Sequence, residues 1–97
     1  MYKIVYTKRA ARDIKYLKSA KLDKKAKQLI EVVRNNPFQN PPSYEKLVGN
    51  LSGAYSRRIN IQHRFVYQVL EEVCIYDNVE YDGVVKILSM WSHYENL

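Results

Sequence analysis

The run YKIVYTKRAARDIKYLKS, residues 2–19, changes its hydrophobic period partway along. From Tyr2 to Thr7, aromatic and β-branched residues alternate with others, the two-residue repeat of a strand. From Lys8 onward Ala11, Ile14 and Leu17 recur at helical spacing, while Lys8, Arg12 and Lys15 take the opposite side. This predicts a strand running straight into an amphipathic helix with a basic outer face. A second helix is expected from Asp23, read as its N-cap, with Ala26, Leu29, Ile30 and Val33 as its apolar stripe. Asn35-Asn36-Pro37 ends it, because the residue before a proline avoids helical geometry. A tight turn near residues 20–22 makes the pair an αα-hairpin.

Downstream the pattern turns to strands. Residues 37–43 (PFQNPPS) read as a surface loop, and residues 44–51 fit no single period. Residues 54–60 and 64–70 form a hairpin, the second strand apolar on both faces and so central. Val73 to Tyr76 is a third strand of this group, followed by an acidic loop from Asp77 to Gly83. Val84 to Trp91 is the fourth, with Val85, Ile87, Ser89 and Trp91 on one face. The order β-α-α-β-β-β-β predicts an α+β fold. In it an N-terminal strand and helical hairpin pack on an antiparallel-rich sheet of about four to five strands.

Ninety-seven residues are expected to form one domain, 1–97. The net charge is +6, unevenly spread: residues 1–34 carry +8 and residues 35–97 carry −2. Between Glu71 and Asp82 there are five acidic residues and no basic one. A basic first third makes polyanions the first partner class to consider, although lysines also simply solvate exposed helices. Cys74 is the only cysteine, which excludes an intrachain disulfide and a cysteine-built zinc site. No signal-peptide pattern and no run of about 18 apolar residues is present, so a cytoplasmic, non-membrane protein is expected. No exposed apolar stripe calls for self-association.

The residues that could carry chemistry are few. Of the two histidines, His63 stands at a strand start and His93 follows the last strand. Alone, each reads as an ordinary surface or packing histidine. Glu45 is the only acid between Glu31 and Glu71, and a surface ion pair with Arg57, Arg58 or Arg64 would account for it. Arg57 and Arg58, adjacent on a strand, must point to opposite faces. Guanidinium groups bind phosphate through paired hydrogen bonds and stabilise a pentacoordinate phosphorane. Glu45, His93, the arginines and Tyr94 together are the minimum kit for RNA cleavage by the substrate's own 2′-hydroxyl, with no metal and no cofactor. Walker, dinucleotide-binding, nucleophile-elbow and zinc motifs are all missing.

The segment N-L-S-G-A-Y-S-R-R-I from Asn50 to Ile59, continuing through His63-Arg64-Phe65-Val66-Tyr67, resembles the signature of the YoeB/Txe toxins, part of the RelE-like group of toxin–antitoxin systems. The His93-Tyr94 pair resembles that family's terminus, although here Glu95-Asn96-Leu97 follow. The resemblance implies a RelE-like fold and a ribosome-dependent mRNA endoribonuclease that cuts in the A site. It implies Glu45 as general base, His93 as general acid, Arg64 as the cation on the transition-state phosphate, and Tyr94 as an ordering residue. Arg58 and Arg57 would touch RNA; where some relatives carry a lysine this chain has Val48, so that phosphate contact is either missing or supplied by Lys46. The basic face of Lys8, Arg12 and Lys15 would meet ribosomal RNA. The implied partners are a YefM/Axe-type antitoxin, the ribosome and mRNA, with a homodimer also compatible. The acidic loop is expected to lie away from the site. Two other readings stay open: a binding-only inhibitor of the kind that acts on gyrase with this same fold, and a basic RNA-binding module in which His93 is structural.

Overall fold

The computed structural model describes residues 1–92. Strand β1 (Tyr2–Tyr6) passes through Thr7 into helix α1 (Lys8–Ser19). The Thr7 hydroxyl accepts the Ala10 N–H at 3.0 Å and donates to the Leu88 carbonyl at 2.8 Å. One side chain thus caps the helix and ties its start to the sheet. The α1 stripe is rotated from the expected one. Ala10, Asp13 and Leu17 are buried, and Ala11 is exposed. Asp13 faces inward because its Oδ2 accepts the buried Met90 N–H at 3.0 Å.

Helix α2 spans Asp23–Asn35 and stops before Pro37. Its N-cap is Leu22, with no side-chain hydrogen bond, so Asp23 is not the cap. It occupies the first turn instead, where its carboxylate meets the positive end of the helix dipole. Lys21 makes the turn between the helices with φ 59°.

The remaining strands are β2 (Glu45–Lys46), β3 (Ala54–Arg58), β4 (Arg64–Leu70), β5 (Cys74–Tyr76), β6 (Val79–Tyr81) and β7 (Gly83–Ser89), with a short 3-10 turn at Gly49–Leu51. Five of the seven form one sheet in the order β1-β7-β4-β3-β2. Only β1 and β7 run parallel; the other pairs are antiparallel. The centre is β4, as its two apolar faces require. Phe65, Tyr67, Val85 and Ile87 pack from the sheet against Leu17, Leu29 and Val33 of the helices, all at 2% exposure or less. Burying each such side chain contributes about 2 kcal/mol. No described helix is long and apolar enough to cross a membrane.

Three expectations change here. Residues 73–76 do not join the main sheet. Cys74–Tyr76 pairs with Val79–Tyr81 in a separate two-stranded ribbon, so the expected acidic loop holds a strand. Asp77 and Asn78 turn the ribbon with φ 50° and 65°, the positive values a two-residue hairpin turn demands. Lys3 secures it, its Nζ lying 3.8 Å from the Tyr76 ring centroid. The ribbon also leaves Leu70, Val73, Ile75 and Tyr76 more than half exposed, an apolar surface not apparent in the sequence. Finally, β7 ends at Ser89, short of Trp91. Trp91 instead stacks on His63, with ring centroids 3.9 Å apart and planes at 18°.

His63 is buried, and its Nδ1 accepts the Ser92 N–H at 2.7 Å. Burial, then the neighbouring Arg64 charge, holds its pKa below the ordinary 6.5, against a smaller pull upward from Asp13. The unfolded chain therefore binds the proton more readily, and stability falls as pH drops below about 6.5. Chemical denaturation across pH 5 to 8 should show this acid limb in the wild type and its loss in His63→Asn.

Arg57, expected as an RNA contact, is 1% exposed. Its Nε donates to the Tyr67 hydroxyl at 3.1 Å, Nη1 to the Pro42 carbonyl at 2.5 Å and Nη2 to the Pro37 carbonyl at 3.0 Å. The guanidinium also lies 4.9 Å from the Tyr44 ring centroid. It faces the helix side of the sheet and is closed to RNA, because the 37–44 loop folds over it. The Tyr67 hydroxyl donates in turn to the Pro37 carbonyl at 2.7 Å. Burial pushes its pKa up to about 12, so the proton stays in place. Arg57→Met should cost about 3 kcal/mol in denaturant unfolding, since the Pro42 carbonyl loses its donor and the Pro37 carbonyl and Tyr67 hydroxyl keep only the hydrogen bond between themselves.

Candidate functional site

Strand register assembles the site. Glu45 of β2 lies opposite Ser56 of β3, and Arg58 of β3 lies opposite Arg64 of β4. Cross-strand partners share a face, and Ser56 and Arg58 are two apart on one strand. All four therefore project from the face opposite the helices. They line a cleft of about 230 Å³ with Ser43 and Tyr44. The alternation that buries Arg57 is what exposes Arg58.

The cleft's charged groups are available. Glu45 is exposed and takes part in no ion pair among the described residues, so the surface ion pair considered for it does not form. Arg58 is exposed. Arg64 is held by one nitrogen only: Nη1 donates to the carbonyls of Asn60 at 2.7 Å, Ile61 at 3.2 Å and His63 at 3.3 Å. Among the described residues its Nη2 and Nε have no hydrogen-bond partner, and a guanidinium edge of that kind suits a phosphate. A carboxylate that shares a cleft with two guanidinium groups can take a proton from a substrate hydroxyl while the cations hold the adjacent phosphoryl oxygens.

Not every expected residue joins this cleft. Lys46 follows Glu45 on β2 and so faces the other side of the sheet, toward its partner Tyr55. It cannot replace the lysine that Val48 lacks. Lys8, Arg12 and Lys15 are exposed on α1, in the layer behind the sheet. His93 and Tyr94 lie outside the described residues. The acidic ribbon follows the far end of β4 from Arg64, about 20 Å away along the strand, and none of its residues lines the cleft. Ser56 and Tyr44 were missed by the sequence reading. Ser56 was within reach, since it stands two residues before Arg58 and therefore shares its face.

A second hollow of about 260 Å³ between the helices, lined by Ile14, Leu17, Ala26, Ile30 and Met90, is apolar apart from Lys18, Asp23 and Lys27 at its rim. The charged cleft is the better candidate for chemistry.

Comparison with known proteins matches residues 6–94 to the YoeB-like toxins of bacterial type II toxin-antitoxin systems. Toxin YoeB of Escherichia coli strain K12 is 45% identical over 49 residues, a stretch that spans half of this chain and 58% of that relative. Among solved structures, a YoeB/ParE toxin from Agrobacterium tumefaciens superposes with a TM-score of 0.78 at 28% identity, covering 95% of this chain and 99% of that one. YoeB of Staphylococcus aureus, solved in a YoeB-YefM complex, is 34% identical with a TM-score of 0.70 over 97% of this chain and 99% of its own. It has also been solved as a dimer. The family match extends from the end of β1 past the last described residue and takes in every residue of the cleft, so this chain belongs to the YoeB-like toxins of bacterial type II toxin-antitoxin systems.

Proposed function

We propose that this toxin is a ribosome-dependent endoribonuclease that cuts mRNA in the A site and so stops translation. The observation that carries the reading is the cleft, in which Glu45, a carboxylate with no ion pair among the described residues, sits with the two arginines Arg58 and Arg64. In the reaction Glu45 takes the proton of the 2′-hydroxyl, whose oxygen attacks the neighbouring phosphorus. Arg64, with Arg58, holds the phosphoryl oxygens as their charge grows. His93 gives a proton to the departing 5′-oxygen, leaving a 2′,3′-cyclic phosphate and a 5′-hydroxyl. Tyr94 orders the groups around it. The attacking and leaving oxygens are both handled by side chains, so the chemistry calls on no metal ion or cofactor.

The single domain, 1–97, acts in the cytoplasm, where its substrate is. Its partners are the ribosome with its mRNA, and a YefM/Axe-type antitoxin, as the YoeB-YefM complex of the Staphylococcus aureus relative supports. The dimer of that relative supports a homodimer in the same way. Lys8, Arg12 and Lys15 give α1 a surface suited to ribosomal RNA.

The test is primer extension on an mRNA under translation in a cell-free system. Wild type should leave cuts at A-site codons. His93→Gln should slow cutting roughly 100- to 10,000-fold, and Glu45→Gln should slow it as well, both with ribosome binding retained. Stable ribosome binding with no cuts by the wild type would overturn the nuclease in favour of a binding-only inhibitor. Replacing Lys8, Arg12 and Lys15 together with glutamine should weaken ribosome affinity. The slope of log affinity against log salt should flatten by about two units. An unchanged slope would make that helix face solvated surface only.

A further inference from the structure

The mechanism above leaves His63 unused, although it is the one histidine among the described residues and is 3% exposed. Its surroundings are specific. The ring stacks on Trp91, and Nδ1 accepts the Ser92 N–H at 2.7 Å. The next residue, Arg64, donates its own backbone N–H to the Ser92 carbonyl at 3.2 Å. Both backbone polar groups of Ser92 are thus taken up by two consecutive residues at the head of β4. Ser92 itself has φ 72°, a left-handed conformation that costs a non-glycine residue about 1 kcal/mol and is kept only where its surroundings demand it. Arg9 closes the other side, its Nη2 donating to Ser92 Oγ at 3.5 Å.

We propose that His63 is a positioning residue for the nuclease reaction: by holding the Ser92 amide it fixes the direction in which the chain departs toward His93. This rests on the reading of His93 as the general acid. Ser92 immediately precedes His93 in sequence, and Arg64 immediately follows His63. One dipeptide therefore sets two parts of the site. His63-Arg64 holds the residue before the acid and also supplies the guanidinium that meets the phosphate. Two hydrogen bonds, at 2.7 and 3.2 Å, thus join the segment that carries Arg64 to the residue before His93.

The acceptor function can be separated from packing. Asparagine Oδ1 sits the same number of bonds from Cα as histidine Nδ1, so His63→Asn keeps an acceptor for the Ser92 amide while losing the ring stack. His63→Leu fills more of the space but offers no acceptor. Four readings are taken on wild type and both variants: thermal midpoint, ribosome affinity, ribosome-dependent cleavage under single-turnover conditions, and hydrogen exchange of the Ser92 amide by NMR. His63→Leu should cleave about 100-fold more slowly, the cost of a group displaced by about 1 Å. Its ribosome affinity should be unchanged and its Ser92 amide fast to exchange. His63→Asn should recover most of the rate and the slow exchange, whatever its thermal midpoint. A purely packing role predicts the opposite order, with activity following the thermal midpoint and asparagine no better than leucine. That order, or wild-type cleavage by His63→Leu, overturns the proposal. A wild type that binds ribosomes and cuts nothing overturns the nuclease reading first and the catalytic role of this contact with it, a result recognisable because the exchange pattern survives.

Discussion

A buried guanidinium that pairs with no carboxylate among the described residues organises this molecule. Arg57 is enclosed by carbonyl oxygens of the 37–44 loop, the Tyr67 hydroxyl and the faces of two tyrosine rings. A cation out of water is costly unless every donor is satisfied, so the loop has little freedom once Arg57 is inside. The loop leads directly into β2, and β2 carries Glu45. The position of an exposed carboxylate on one face of the sheet is thus decided by a buried charge on the other. Lysine would not serve in place of Arg57, because the contacts radiate from three nitrogens of a planar fork.

The edge position of β2 matters as much. A two-residue strand at the end of a sheet has a strand partner on one side only, here β3 among the described residues. The helices cover the opposite face, so large apolar residues fill one side of β3 and β4 while small and charged ones occupy the other near the cleft. Tyr55 and Arg57 point inward; Ser56 and Arg58 point out. The same alternation supplies core and site from five consecutive residues.

Much of this was legible in the sequence, for a physical reason. The change of period at Thr7, the proline after Asn36 and the doubly apolar 64–70 strand are local signals, and each produced the expected element. The opposite orientation of Arg57 and Arg58 followed from strand geometry alone. What failed depended on partners distant in sequence. Asp13 faces inward because of an amide donor 77 residues away. Lys46 faces away from Glu45 because the two sit on one short strand, which residues 44–51 do not signal by any period. Arg57 looks like an RNA contact in sequence because nothing local reveals that a proline-rich loop covers it. The ribbon was read as sheet plus loop because its residues have strand character, whereas its separation from the sheet is a matter of topology.

That separation has a consequence for how the fold accommodates change. The excursion from Glu71 to Asp82 leaves the sheet at Leu70 and returns at Gly83, where an added Cβ would lie 2.1 Å from the Leu70 carbonyl oxygen. Its two ends are therefore almost in contact, and Leu70 is in register with Val84. To the sheet, β4 and β7 are a single hairpin and the ribbon is its connection. Closing a flexible connection costs free energy only as the logarithm of its length, about 0.6 kcal/mol for each doubling. The excursion can therefore lengthen, shorten or change its chemistry at little cost to the sheet, while Gly83 at the point of return cannot change at all without moving a backbone.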